Sequence, residues 1–135
     1  MILRRFFLLS TLVACSFAFS SCAELHSSKA SQAGQVEHVV LVWLKHHGDA
    51  QERSKLIEAA RQLKEIPGVL SVSGGDPIPS KRPIVDASFD VGFVIRFENA
   101  AAMNAYLTHP IHVKLTNEVL KPASRKVLVY DVNVR

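Results

Sequence analysis

The sequence predicts an α+β fold of the ferredoxin-like kind, a βαββαβ chain with one sheet and helices on one of its faces. Three observations predict it. The apolar periodicities run strand, helix, strand, strand, helix, strand. Residues 36–135 hold all of them as one domain, and no internal repeat divides the chain. The first strand is apolar on both faces, so both faces need cover. Helices cover one, and a second copy of the sheet is expected on the other, which makes the assembly a dimeric α+β barrel.

The elements follow in order. Glu37 to Lys45 is rich in β-branched residues and reads as the first strand. His38, Val40, Val42 and Leu44 share one face; Val39, Leu41 and Trp43 share the other. Asp49 followed by Glu52 is a capping-box-like start. Leu56, Ile57, Ala60 and Leu63 then recur at helical spacing until Pro67-Gly68 stops the helix. Val69 to Gly75 is a second, weaker strand. Asp76 to Asp86 carries Pro77, Pro79 and Pro83 and reads as an exposed loop.

Phe89 to Glu98 alternates as a third strand. Phe89, Val91, Phe93, Ile95 and Phe97 form its apolar face, and that face, with Trp43, is the expected dimer core. Asp90, Gly92, Val94 and Arg96 form the other face. Asn99 caps a helix from Ala100 to Leu107. Pro110 opens the next, because its fixed φ and missing N–H suit a first helical turn. That helix runs to about Leu120 and ends at Pro122; Lys126 to Val134 is the last strand.

Composition bounds the function. The chain has 135 residues, 21% charged and 48% hydrophobic, as a packed domain requires. Its formal net charge is +4; without Arg4 and Arg5 there are 14 basic against 12 acidic residues. No cluster of Lys and Arg interleaves with aromatics, so no nucleic-acid partner is expected. The two cysteines, Cys15 and Cys22, both precede the domain. The domain therefore has no thiol nucleophile, disulfide framework or thiolate metal site.

The N-terminus reads as an export signal over residues 1–21. Met1 to Arg5 is a basic start, and Phe6 to Phe19 is apolar but short for a membrane span. Phe19-Ser20-Ser21-Cys22 resembles a bacterial lipoprotein signal, which implies lipidation at Cys22. Leu12-Val13-Ala14-Cys15 is the alternative lipid site, and an ordinary cut after Ala18 or Ala23 is the other. Arg4-Arg5 also resembles a twin-arginine motif, but no polar residue precedes Arg4. Residues 22–35 are rich in Ser, Gln and Gly and read as a flexible tether. The expected location is the cell envelope, with the domain held to a membrane by lipid.

The chemistry concentrates in Tyr106-Leu107-Thr108-His109-Pro110-Ile111-His112. Tyr106 falls on the last turn of one helix and His112 on the first turn of the next. The positive helix end disfavours an imidazolium, so His112 is expected to be neutral and able to accept a proton. Tyr106 stands where it can polarise an oxygen. His38, on the helix-facing side of the first strand, would join them in an apolar cavity. Val40, Val42, Leu56, Ala60, Leu115, Val127 and Val129 are candidate walls, with His109 at the edge. A structural alternative exists for each polar residue. Tyr106 can be a core aromatic, His109 a helix cap, His112 part of the local bend, and His38 a buried strand residue. Too few ligands converge for a metal, and no cofactor is expected. His46-His47 reads as a solvated turn.

From Val36 to Val134 the chain resembles the stress-responsive A/B barrel (Dabb) family of the dimeric α+β barrel superfamily. The signals are His38-Val39-Val40-Leu41, Ile66-Pro67-Gly68-Val69, Phe93-Val94-Ile95-Arg96-Phe97, the Tyr106–His112 stretch, Pro122 and Tyr130-Asp131. The resemblance implies a homodimer with facing sheets and a pocket between sheet and helices in each subunit. It also implies roles carried over from a plant polyketide cyclase of the superfamily. His112 would be the general base of an intramolecular aldol closure, and Tyr106 and His38 its polar partners. Around Leu56, Ala59 and Ala60 the chain departs from that enzyme, being small and aliphatic where the enzyme carries aromatics. The expected function is the binding of a small apolar molecule or no chemistry at all; the alternatives are a cofactor-free cyclase or lyase and a structural or interaction module.

Overall fold

The structure, a computed structural model, describes residues 32–135. The signal segment, Cys15, Cys22 and residues 22–31 of the tether lie outside the described residues. The strands are β1 (Val36–Leu44), β2 (Val69–Gly75), β3 (Val91–Phe97) and β4 (Ser124–Asn133). They form one antiparallel sheet in the order β2-β3-β1-β4, the ferredoxin-like arrangement.

Helix α1 (Ala50–Ala60) starts where the sequence places it. The Asp49 side chain accepts hydrogen bonds from the N–H groups of Gln51 and Glu52. The helix tightens into a 3₁₀ turn over Arg61–Glu65 and stops before Pro67. Gly68 has φ +83°, and a Cβ there would come within 2.5 Å of the Ala102 Cβ. Glycine is thus required both by the turn and by the close approach of the next helix. That helix, α2 (Ala100–Thr108), is capped by Asn99, whose side chain accepts from Ala102 N–H at 2.9 Å.

The third helical run is less regular than its periodicity implies. It begins as α3 (Pro110–Leu115), widens into a π segment (Thr116–Leu120) and closes with the short turn α4 (Lys121–Ala123). Pro122 does not end the helix at its own position. It lies within the continuous helical run, directly after the π segment, and the run ends one residue later at Ala123.

The core lies between the sheet and the helices. Val36, Val40, Val42 and Leu44 from β1 meet Phe93, Ile95 and Phe97 from β3, with Leu56, Ala60, Leu63 and Tyr106 above them. The phenylalanine face of β3 is therefore not a dimer core. In the β1–β3 register Phe93 lies opposite Val40 and Ile95 opposite His38. Residues directly opposite share a face, so Phe93 and Ile95 must lie under the helices with Val40 and His38.

Phe89 departs from the alternation because β3 begins only at Val91. Its ring lies on the other side of the sheet, edge-on to Trp43 at 6.4 Å. Trp43 itself is buried within its own chain. Lys126 sits over the indole at 4.1 Å, and the indole N–H donates to Ser88 at 3.1 Å. The open sheet face is instead carried by Val39, Leu41, Val94, Leu128, Tyr130 and Val132.

Two further expectations change. Residues 32–35 of the tether are not free: Gly34 N–H donates to Val134 C=O, and Val134 N–H to Gln35 C=O, both at 2.9 Å. The His46-His47 turn is exposed but paired, His46 with Glu52 at 3.0 Å and His47 with Asp90 at 2.8 Å. Among the described residues, no helix is long and apolar enough to cross a membrane.

Candidate functional site

Local rules bring the polar residues together. A residue before proline is biased away from the helical region, and His109 is accordingly extended, with ψ 136°. The break separates α2 from α3 and folds them onto each other. His109 Nδ1 then accepts the Ile111 N–H at 3.3 Å, capping α3. One turn on, the His112 ring reaches back across the break. Its Nδ1 donates to the Leu107 carbonyl at 3.0 Å, because a carbonyl only accepts. In the neutral ring Nε2 is therefore the acceptor, and the Thr116 hydroxyl lies 3.3 Å from it.

Tyr106 is 2% exposed. Its ring packs 4.3 Å from the His112 ring, 4.8 Å from Phe97 and 5.9 Å from His38, centroid to centroid. Among the described residues its hydroxyl has no hydrogen-bond partner. His38 is fixed from below. Asp131 is its direct cross-strand neighbour on β4, and His38 Nδ1 lies 2.6 Å from the Asp131 carboxylate.

These residues close one end of a cavity of about 400 Å³ between the sheet and the helices. Val40, Leu56, Ala60, Leu115, Val127 and Val129 line it with His38, Tyr106 and His112, as the sequence implies. Val42 and His109 do not. Val42 is fully buried at the Leu44 end of β1, in the closed core, and His109 is spent as a helix cap. The reading missed Leu63, Phe93, Ile95, Leu107, Thr116, Leu120 and Lys121 on the wall. The β1–β3 register signals Phe93 and Ile95, and the four-residue spacing from His112 signals Thr116.

The electrostatics favour neutral groups. Burial, foremost, holds the His112 pKa below the usual imidazole value, and the nearby His38 pushes the same way; the Leu107 carbonyl opposes both. The neutral imidazole expected from the helix end is thus better explained by burial. Burial likewise raises the Tyr106 pKa, so its phenol keeps its proton. Lys121 turns its ammonium onto the Asn117 side chain at 2.8 Å. Among the described residues, no group of three or more His, Cys, Asp or Glu is placed to hold a metal ion.

The family model of the stress responsive A/B barrel domain, Dabb, matches residues 36–134. No curated protein sequence matches the chain. Among solved structures, a Dabb family protein with a ferredoxin-like fold from Mesorhizobium loti is 27% identical. That match covers 76% of this chain and 98% of the other, with a TM-score of 0.62. A dimeric ferredoxin-like protein of unknown function from Jannaschia is 24% identical over 75% of this chain and 100% of its own, with a TM-score of 0.61. The hydroxynitrile lyase of Passiflora edulis is 18% identical over 75% of this chain and 94% of its own, with a TM-score of 0.64. The last two likenesses concern the fold alone. The match over nearly the whole described domain carries the assignment: this chain belongs to the stress responsive A/B barrel domain family.

Proposed function

We propose that the protein is an envelope-anchored homodimer that holds a small, neutral, mainly apolar molecule in each protomer. The observation that carries this reading is the cavity itself: aliphatic walls, with the polar atoms of His38, Tyr106 and His112 gathered at one end. Such a volume lies within the usual range of small-molecule sites. Two groups of the polar end, the Tyr106 phenol and the His112 imidazole, are kept uncharged by burial. A charged ligand head placed there loses its hydration, and the ammonium of Lys121 on the wall is already held by Asn117. The phenol of Tyr106 suits a carbonyl or hydroxyl oxygen, and the imidazole suits a donor.

Naphthol and naphthoate, equal in apolar body and different in charge, test this by calorimetric titration. Naphthol is expected to bind at least tenfold more tightly than naphthoate, and Tyr106→Phe to weaken naphthol by up to about tenfold. Equal binding of the two, or binding of neither, contradicts the reading.

The homodimer rests on the open sheet face. Val94, Tyr130 and Val132 are 38%, 53% and 49% exposed there, beside Val39, Leu41 and Leu128. An apolar face of this kind favours a second sheet, and the Jannaschia neighbour is described as dimeric. Envelope anchoring rests on the signal before Cys22. Cys22→Ser is expected to move the protein from the membrane fraction to the soluble fraction; retention on the membrane contradicts the lipid site.

A second reading, cofactor-free catalysis, is favoured by the arrangement of the His112 ring. With Nδ1 held by Leu107, Nε2 faces a proton donor. It would take a proton from a carbon beside a ligand carbonyl while Tyr106 donates to the enolate oxygen. The enolate carbon would then attack a second carbonyl of the same molecule, opening its C=O bond, and the resulting alkoxide would take back the proton held on Nε2. The hydroxynitrile lyase of Passiflora edulis, similar in fold, is an enzyme.

A further inference from the structure

We infer that Thr116 is a positioning residue for His112, its hydroxyl holding the imidazole by the acceptor nitrogen that the Leu107 carbonyl leaves free. A threonine inside a helix ordinarily satisfies its hydroxyl on the carbonyl four residues back. Thr116 does not. Its Oγ1 lies 3.3 Å from Nε2 of the side chain four residues back, His112. The two residues share one helix face, and both line the cavity.

The backbone changes character at the same residue. Thr116 opens the π segment Thr116–Leu120, and its own N–H donates to the His112 and Val113 carbonyls. π-Bulges widen a helix locally and recur at functional sites. Here the segment begins at the residue that touches the ring.

The tautomer follows from both ends of the imidazole. Leu107 C=O only accepts, so Nδ1 carries the proton. Nε2 then has a lone pair, and the threonine O–H donates to it. Protonation of Nε2 would reverse that bond, the hydroxyl then accepting, so the bond holds the ring in place in either state. The other polar groups around the ring are His38 of β1, with Asp131 of β4 behind it, and Tyr106 of α2. Lys121, further along the same helical run, is engaged by Asn117. Among the described residues Thr116 is the group that bonds Nε2. Its consequence for a ligand rests on the cavity reading above: a ligand donor must displace or share this hydroxyl.

The test is NMR of the His112 ring nitrogens in the full-length protein, free of ligand, for wild type, Thr116→Ser and Thr116→Val. Wild type and Thr116→Ser are expected to show a protonated Nδ1 and a hydrogen-bonded acceptor Nε2. In Thr116→Val the Nε2 resonance is expected to move to the position of an unbonded acceptor. Rescue by serine separates the hydroxyl from packing, because serine lacks the methyl group and valine keeps the shape. An Nε2 resonance unchanged in Thr116→Val overturns the inference and leaves Thr116 as a wall residue. The result is independent of ligand binding. A protein that binds no naphthol but shows the valine shift loses the binding reading and keeps this one.

Discussion

Asp90→Ala is expected to destabilise the domain by about 3 kcal/mol, read as a lower midpoint in urea unfolding. The side chain is buried just before β3, where one oxygen accepts the Leu44 N–H and the other the Gly48 N–H, both at 2.8 Å. His47 Nδ1 lies 2.8 Å from the second oxygen. Alanine would orphan both backbone donors at the point where β1 turns toward α1. Such orphaned groups cost about 1–3 kcal/mol each, and part is recovered where water reaches Gly48.

The same residue gives a pH dependence. Burial alone would raise the Asp90 pKa, but the bonds from Gly48, Leu44 and His47 outweigh it, and the net shift is downward. A carboxyl whose folded pKa is lowered stabilises the fold above its unfolded pKa. That stability is lost as pH falls from about 3.8 through the lower folded value. Asp90→Asn should therefore remove part of the acid sensitivity as well as stability. An alanine variant less than about 1 kcal/mol weaker than wild type would show that the loop finds other acceptors.

His112→Ala is expected to lower turnover of a β-polyketone at least a hundredfold, should the catalytic reading hold, while the dimer persists. A positioned general base contributes about 10²–10⁴ in rate. Nothing else near the site replaces it. His109 is committed to Ile111, and His38 is held by Asp131. Unchanged turnover in a folded variant would remove His112 as the base, leaving the cavity as a binding site only.

Much of the fold was legible because its boundaries are chemical. Asp49 with Glu52, Pro67-Gly68, Asn99 and Pro110 each mark a helix end by a local hydrogen bond or a fixed dihedral. The strand Val69–Gly75 has the same limits in the structure. Tyr106, His112 and His38 were legible as a cluster, since the break at Pro110 brings the first two together and strand alternation aims the third at the helices. What escaped depends on pairing over long sequence distances. Asp131 meets His38 through the β1–β4 register, and Phe93 shares the cavity face through the β1–β3 register. Neither register is written in local periodicity. Asp90 was placed with Gly92 by extending the alternation two residues beyond the observed start of β3. The π segment is a third case. The wider turn of that segment brings Lys121 onto the wall beside Leu120, which a regular 3.6-residue helix does not show.

The central claim is a paired sheet with an occupied cavity under each set of helices. Native mass spectrometry of the full-length protein, released gently from mild detergent after purification, tests both parts in one spectrum. The account predicts a dimer carrying up to two copies of a small neutral molecule, retained from the cell or supplied as naphthol, and none of it on a Leu56→Trp variant whose indole fills the cavity. A monomer, or a dimer that binds no such molecule at any concentration, would contradict it.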